Sequence, residues 1–166
     1  RRCRFKGLHA VVIGSEMSGG VRNVFVEDCD FAGYCKRGLY IKTNPDRGGY
    51  VKNIYMKDCR FDEVEDLIYV TSMYAGEGLG SRHFSEVEHL LVDGVSCRRA
   101  RAAGIVLQGT KAKPIRDVTI RRVEIGEVKN AVSIDDAEQV TLEDCHLGGR
   151  AGVSTQVTDG DRLFVR

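Results

Sequence analysis

The segment "RNVFVEDC" (residues 22–29) decides the fold, because its pattern of apolar and polar residues returns four more times along the chain. The other copies begin at residues 52, 88, 116 and 138 and read "KNIYMKDC", "EHLLVDGV", "RDVTIRRV" and "EQVTLEDC". Successive copies therefore start 30, 36, 28 and 22 residues apart. The third and fifth positions of every copy are apolar, and this alternation predicts a β-strand with one buried face.

Further apolar columns follow each copy. The eighth position holds a small or branched apolar residue, and the position two residues later is apolar in every repeat: Cys29, Cys59, Val95, Val123 and Cys145, followed by Phe31, Phe61, Cys97, Ile125 and Leu147. A second strand is predicted in each repeat, at Val11/Ile13, Leu39/Ile41, Ile68/Val70, Ile105/Leu107, Val132/Ile134 and Val153/Thr155. Each repeat thus supplies two half-buried strands.

Irregular repeats that contain short strands and no helical period are typical of a parallel β-helix, in which coils stack and like residues form ladders. We therefore predict an all-β chain that forms one domain over residues 1–166, a parallel β-helix of about six coils. A leucine-rich repeat requires Leu and Asn at fixed offsets, which are absent. A β-sandwich does not explain columns that stay in register over the whole chain.

Composition excludes several classes of partner. The formal net charge is +1, from 25 basic and 24 acidic residues, so we expect neither nucleic acid nor a membrane surface as a partner. We also expect a monomer. The chain opens with "RRCRF" and ends with "RLFVR", both strand-like, and we expect it to be a fragment of a longer protein. Missing targeting signals then carry no information about its compartment.

The six cysteines do not indicate a disulfide framework or a metal site. Five of them, Cys3, Cys29, Cys59, Cys97 and Cys145, fall on the inward columns, where a free thiol acts as a small apolar side chain. Cys35 is placed in a turn, with its role left open. No pair of cysteines or histidines has the spacing of zinc ligands, so we expect no metal.

Loops that lengthen a coil are the natural place for function on a solenoid. The early repeats contain "NPDRGGY" (44–50) and "SMYAGEGLGSRHF" (72–84), whereas the last full repeat has almost no extra length. Function is therefore expected in the first two thirds of the chain.

A polar cluster is predicted beside these loops. With the second strands in register, His9 aligns with Arg37, while Tyr40 and Lys42 follow on the same outer face. Neighbouring strands lie about 4.8 Å apart, so one ligand can reach side chains from adjacent coils. Two positive charges and an aromatic ring suit an anionic, ring-shaped ligand. The alternative is a solvated outer surface with unrelated charges.

Four segments together resemble the family 28 glycoside hydrolases, the polygalacturonases and their exo-acting relatives. They are "VVIGSEMSGGVRNV" (11–24), "RGLYIKTNPDRGGYVKNIYMKD" (37–58), "KPIRDVTIRRVEI" (113–125) and "AVSIDDAEQVTLEDC" (131–145). The resemblance implies a right-handed parallel β-helix that hydrolyses α-1,4-linked galacturonate in pectin with inversion at the anomeric carbon. It also implies a secreted or periplasmic protein that uses no cofactor and binds acidic polysaccharide.

The family's two aspartate motifs, Asn-Thr-Asp and Asp-Asp, should lie before residue 1 and are not found in the chain. Asp135 and Asp136 follow the later motifs instead of preceding them, and we interpret the pair as a turn at the end of a strand. An inverting hydrolase needs two carboxyl groups about 6.5–9.5 Å apart. The fragment by itself is therefore expected to be inactive.

The family's Gly-His-Gly motif appears as Leu8-His9-Ala10. His9 is the match when "IGS" (13–15) serves as the anchor, and a spacing longer by one residue places Leu8 at the histidine position instead. At that position the resemblance implies that His9 orients the catalytic water or supports a carboxylate.

The Arg-Ile-Lys motif appears as Tyr40-Ile41-Lys42. The resemblance implies that Lys42 binds the substrate carboxylate, that Tyr40 provides an aromatic surface in place of the arginine, and that Arg37 supplies the lost charge. Arg47 is a second candidate for carboxylate binding. A β-helix module that binds acidic polysaccharide without cleaving it remains the alternative function.

Overall fold

The computed structural model describes residues 1–76, 78, 80 and 82–148, together with the backbone of two later strands at 154–157 and 163–165. Over this part of the chain the structure contains strands, turns and bends but no helix. None of its elements is therefore a helix that could cross a membrane. The strands are β1 Arg4–Phe5, β2 His9–Ile13, β3 Val21–Glu27, β4 Asp30–Lys42, β5 Tyr50–Lys57, β6 Arg60–Thr71, β7 Glu86–Asp93, β8 Ser96–Gln108, β9 Ile115–Arg121, β10 Glu124–Asp135, β11 Ala137–Glu143, β12 His146–Leu147, β13 Ser154–Val157 and β14 Leu163–Val165.

The strands form two parallel sheets that alternate along the chain. Sheet 1 has the order β1-β4-β6-β8-β10-β12, with β2 also paired to β4 and β13 also paired to β10. Sheet 2 has the order β3-β5-β7-β9-β11-β14. Each strand thus pairs with the strand one coil away, and this topology is a parallel β-helix. The predicted fold class is confirmed.

The predicted inward columns form the core. Cys29, Cys59, Val95 and Val123 are buried, as are Phe31, Phe61, Cys97 and Ile125. The rings of Phe31 and Phe61 stack with their centres 4.6 Å apart, a separation close to the spacing of neighbouring strands. Stacking of like side chains along the axis therefore builds this core.

Two predictions about the cysteines need correction. Cys3 is exposed, because it lies at the end of the described stack of coils, where fewer strands cover it, whereas Cys145 is half-buried and packs against the core as predicted. Cys35 is buried in β4 and does not lie in a turn. Cys35 faces inward on the same side of the strand as Phe31 and Leu39, in a column that it shares with Val64 of the next coil.

The second strand of the last coil was predicted two residues too early. The backbone register pairs Val132 with Thr155 and Ile134 with Val157. The sequence reasoning had aligned Val132 with Val153, which lies outside the described residues.

The shape of each coil depends on two positions with left-handed backbone conformation. The second position of the eight-residue repeat has φ between 52° and 59°, at Asn23, Asn53, His89, Asp117 and Gln139. The seventh position has φ between 50° and 66°, at Asp28, Asp58, Gly94, Arg122 and Asp144. Asn, Asp and Gly tolerate this conformation best, which explains their frequency in the two columns. Each repeat thus contains a bend at the start of a sheet 2 strand and a corner at its end.

The other corner of the coil, where sheet 1 leads into sheet 2, carries the long loops. Backbone hydrogen bonds join the loop after β4 to the loop after β6: the Gly48 amide donates to His83 O (2.6 Å), and the His83 amide donates to Pro45 O (2.8 Å). Gly49 has a φ of 76°, and a Cβ there would lie 2.8 Å from Ser18 O in the preceding loop. These loops therefore stack closely beside the ends of β2, β4 and β6.

Candidate functional site

The candidate site lies on the outer face of sheet 1, near the carboxyl ends of β2, β4 and β6. Leu39 and Ile41 are buried, so the alternation of the strand turns Tyr40 and Lys42 outward. The sheet register forms three rows across the coils: His9–Arg37–Asp66, Val12–Tyr40–Tyr69 and Lys42–Thr71. The structure thus brings four of the five predicted site residues together, with Arg47 in the adjoining loop.

His9 packs against an aromatic neighbour. Its ring centre is 5.7 Å from that of Tyr40, and its buried Nδ1 has no hydrogen-bond partner among the described residues. Burial lowers the pKa of His9 below its ordinary value. The positive charges of Lys36, Arg37 and Lys42 lower this pKa further. The imidazole is therefore neutral near pH 7 and can either donate or accept a hydrogen bond.

Tyr40 is the centre of the site. The edge of its ring meets Tyr69, with 5.6 Å between ring centres, and both the Arg37 guanidinium carbon and the Lys42 ammonium lie 5.7 Å from its centre. Burial raises the pKa of the Tyr40 phenol, so the ring stays uncharged. Tyr40 and Tyr69 together provide an uncharged aromatic surface between two cations.

Arg37 is held from two sides. It forms an ion pair with Asp66, and its guanidinium carbon lies 4.3 Å from the ring centre of Tyr69. The two charged side chains are 17% and 6% exposed, respectively. Burial raises the pKa of Asp66, while the charge of Arg37 opposes this rise. The positive charge of Arg37 is thus balanced within the site.

Lys42 occupies the loop side of the site. Its Nζ lies 4.5 Å from the ring centre of Tyr74, and among the described residues no carboxylate forms an ion pair with it. Tyr74 is 38% exposed, and its amide donates to Thr43 O (3.1 Å), a bond that fixes the following loop to the end of β4. A carboxylate of a ligand can therefore approach Lys42 from solvent.

The sequence reasoning did not name Asp66, Tyr69 or Tyr74 as site residues. The sequence register already aligns Tyr69 with Tyr40, and extending the row of His9 and Arg37 by one coil would have found Asp66. Tyr74 lies in a loop, where the register carries no information about the side chain.

Arg47 and Leu8 lie at the margins of the site. Arg47 is half-buried in the turn after β4, between the two residues that bond to the backbone of His83. Leu8 is 64% exposed and immediately precedes β2. His9 is the residue that pairs with Arg37 in the sheet and contacts Tyr40.

Other candidate groups lie away from this cluster. Asp135 ends β10, three strands beyond β4 in the row that contains Lys42, so it is displaced by about 14 Å along the axis. His83, His89 and His146 are exposed. In the part of the chain that the structure describes, no group of three or more His, Cys, Asp or Glu side chains is placed to hold a metal ion.

These features define a class of protein: a β-solenoid that carries a cationic and aromatic surface beside its long loops. Comparison with known proteins then gives the family. The profile of Glycosyl hydrolases family 28 matches residues 1–150, and the chain belongs to this family. It is 29% identical over 119 residues to a protein of Vitis vinifera described as a probable polygalacturonase. The matched region covers 69% of the chain and 24% of that relative, so the chain spans about a quarter of the relative's length.

Proposed function

We propose that the full-length protein hydrolyses α-1,4-galacturonosyl linkages in polygalacturonate or oligogalacturonides, with inversion at the anomeric carbon. The observation that carries this proposal is the position of Lys42. Its ammonium has no acidic partner among the described residues and lies against the rings of Tyr40 and Tyr74, beside the neutral imidazole of His9. Family membership and the similarity to a probable polygalacturonase support the same substrate.

Each residue has a distinct role in this proposal. Lys42 binds the carboxylate of one galacturonate unit through a charge-assisted hydrogen bond. Tyr40 packs against the apolar face of a sugar ring. His9 contacts the water or a catalytic carboxylate, since a neutral imidazole can donate or accept. Arg37 holds the aromatic surface in place, and Arg47 provides a second positive charge on the loop side.

The two carboxyl groups that inversion requires come, in this proposal, from residues outside these 166. The acidic side chain nearest to the site, Asp66, already forms an ion pair with Arg37 and is shielded from solvent. The 166-residue chain by itself is accordingly proposed to be inactive. We further propose that the full-length protein works as a monomer outside the cytoplasm, secreted or periplasmic, without a cofactor.

Proton NMR of the first-formed product tests this reaction. The full-length protein is mixed with oligogalacturonate, and the reducing-end signals are followed before mutarotation equilibrates them. The β-anomer should appear first, because inversion of an α-linkage forms it. An α-anomer would refute the inverting mechanism.

Binding of oligogalacturonate without any product would favour a second candidate, a non-catalytic module for acidic polysaccharide. One observation favours that candidate: the carboxylate of Asp66, which lies within the site, is buried and already forms an ion pair with Arg37. The 166-residue chain is assayed in parallel and should release no product.

A further inference from the structure

An open cavity of about 340 Å³ lies on the outer face of sheet 2, across β5, β7 and β9. It belongs to a different sheet from the candidate site, and β3 and β11 flank it along the axis. Its volume falls at the lower end of the range for small-molecule sites, so it suits one or two rings of a ligand. Its lining includes an aromatic ring, two smaller side chains and three polar groups: Tyr55, Leu91, Thr119, His89, Asp117 and Arg121.

The cavity continues a ladder of aromatic rings. Phe25 and Tyr55 are neighbours in one outward row, and their rings stack with 4.9 Å between the centres. The next positions of this row are Leu91 and Thr119, so the height of the row falls directly after Tyr55. One face of the Tyr55 ring is therefore covered by Phe25, and the other face borders the cavity. A ligand ring above Leu91 would occupy the next step of the ladder.

Hydrogen-bonding groups surround that step. On one side, His89 Nε2 lies 3.2 Å from Asp117 Oδ2, and both side chains are about half exposed. On the other side, the buried carboxylate of Asp93 anchors the Arg121 guanidinium at 2.8 Å, which leaves further N–H groups of the arginine free to donate to a ligand. Thr119 adds a hydroxyl group between them. A pyranose ring has the matching division, with C–H groups on its face and hydroxyl groups around its edge.

The rows that flank the cavity carry no net charge. Across β5, β7, β9 and β11 each row alternates in sign, and the two rows read Lys52, Glu88, Arg116 and Glu138, and Lys57, Asp93, Arg121 and Glu143. Ion pairs join the first two and the last two members of the first row, and they join Asp93 to both Arg121 and Arg122. Between the rows stands Asp117, whose negative charge would oppose a ligand carboxylate. This charge pattern therefore favours an uncharged ligand.

We propose that this cavity is a second saccharide site, which binds a neutral pyranose unit. The unit stacks on the open face of Tyr55, above Leu91, and its hydroxyl groups bond to Asp117 and Arg121. The inference goes beyond the proposed function, because this site lies on another sheet and selects its ligand by stacking and hydrogen bonds instead of by positive charge. The site holds the protein on a neutral part of a glycan while an acidic chain occupies the surface around Lys42.

Saturation-transfer difference NMR of the full-length protein tests this inference. The probes are the methyl β-glycosides of glucopyranose, galactopyranose and xylopyranose, with the methyl glycoside of galacturonic acid as the acidic comparison. In the wild-type protein at least one neutral glycoside should receive saturation, and titration of that signal gives its Kd.

Variants of the cavity should change this Kd without affecting the other site. Tyr55→Ser removes the stacking surface and should raise the Kd by about three- to tenfold, whereas Tyr55→Phe keeps the ring and should keep most of the affinity. Leu91→Phe places a ring at the position proposed for the sugar, so it should abolish binding without lowering the melting temperature. Lys42→Met, on the other sheet, should leave the Kd of the neutral glycoside unchanged.

Several results would overturn the inference and leave the proposed function standing. One is the absence of saturation transfer to all three neutral glycosides. Another is binding that is lost in Lys42→Met but kept in Tyr55→Ser, which would place the sugar on sheet 1. Tighter binding of the galacturonide, lost in Leu91→Phe, would show that the cavity takes an acidic sugar. A dimer in sedimentation velocity that Tyr55→Ser dissociates would show that a second copy of the protein fills the cavity. If Tyr55→Ser does not fold, Leu91→Phe decides the question.

Discussion

Replacing Lys42 with methionine removes the charge on which the proposed site depends. Methionine keeps most of the apolar stem that packs near Tyr40 and Tyr74, so the change is confined largely to the ammonium. Lys36→Met provides a matched control. Lys36 lies on the same strand, β4, but its side chain is exposed, and it has no ring contact with the aromatic residues of the site.

The size of the effect follows from the environment of the two lysines. A hydrogen bond to a charged group contributes about 1.5–3 kcal/mol. Lys42 is only half-buried, so the lower part of this range applies, and about 1.5–2 kcal/mol corresponds to a roughly 10- to 30-fold higher Kd for oligogalacturonate. An exposed charge contributes at most about 1 kcal/mol, so Lys36→Met should raise the Kd by less than about fivefold.

Isothermal titration calorimetry of the full-length protein measures both Kd values, at low and at high ionic strength. Salt screens exposed charges more than partly buried ones, so the loss from Lys36→Met should vanish at high salt while most of the loss from Lys42→Met remains. An unchanged Kd for Lys42→Met would remove Lys42 from the site. Equal losses in the two variants would mean that a general positive field, not a specific contact, attracts the ligand.

Further predictions concern the solenoid and its titration. Phe61→Ala should lower the free energy of unfolding by about 3–5 kcal/mol in denaturant titrations, because the ring is 4% exposed and stacked in the core. Phe25→Ala removes a ring that is equally stacked but 58% exposed, and should cost only about 1 kcal/mol. Two lysine partners lower the pKa of Glu86 from 4.5 to about 2, so its contribution to stability is present above pH 4.5 and is lost as the pH falls towards 2. In Glu86→Gln the melting temperature should fall less between pH 4.5 and about pH 2 than in the wild type, because the contribution of Glu86 is missing. If the melting temperature of the variant follows the same pH dependence as that of the wild type, the pKa shift of Glu86 does not contribute to stability. The pKa of His9 is lowered from 6.5, so stability falls as the pH drops through 6.5, and His9→Gln should flatten the melting temperature in that range.

The fold could be predicted from the sequence because the repeat encodes it redundantly. Val24, Ile54 and Leu90 hold the same position in three copies, and the sheet register places them side by side. A shift of one residue in any strand would expose its apolar face, so the alternation determines the register as well as the strand. Insertions between the copies lengthen only the loops, so the apolar columns stay in register although successive copies begin 22 to 36 residues apart.

Local irregularities could not be predicted in the same way. Cys35 has the same parity as Phe31 and Leu39, but the segment between them was assigned to a turn, whereas β4 runs through it with a register shift between Phe31 and Tyr34. In the last coil, the predicted pair Val153/Thr155 begins two residues before the pair that the backbone register aligns with Val132 and Ile134, and a shift by two residues leaves the alternation of the sequence unchanged. An alternation with a period of two determines which face of a strand is buried, but it does not determine how far the strand is shifted along its own length.

The site was predicted incompletely because its chemistry is divided between neighbouring coils. In a solenoid each coil contacts only its neighbours, so residues about 30 positions apart in sequence become adjacent, as Arg37 and Asp66 do. A motif read along one strand identifies Tyr40 and Lys42 but not the carboxylate, one coil away, that determines the charge of Arg37. The same geometry limits the site to a few consecutive coils, since a group three strands away, such as Asp135, is displaced by about 14 Å along the axis. Within these 166 residues, a change of specificity at this site should therefore arise from substitutions in the rows through β2, β4 and β6, and substitutions in later coils should affect the site mainly through stability.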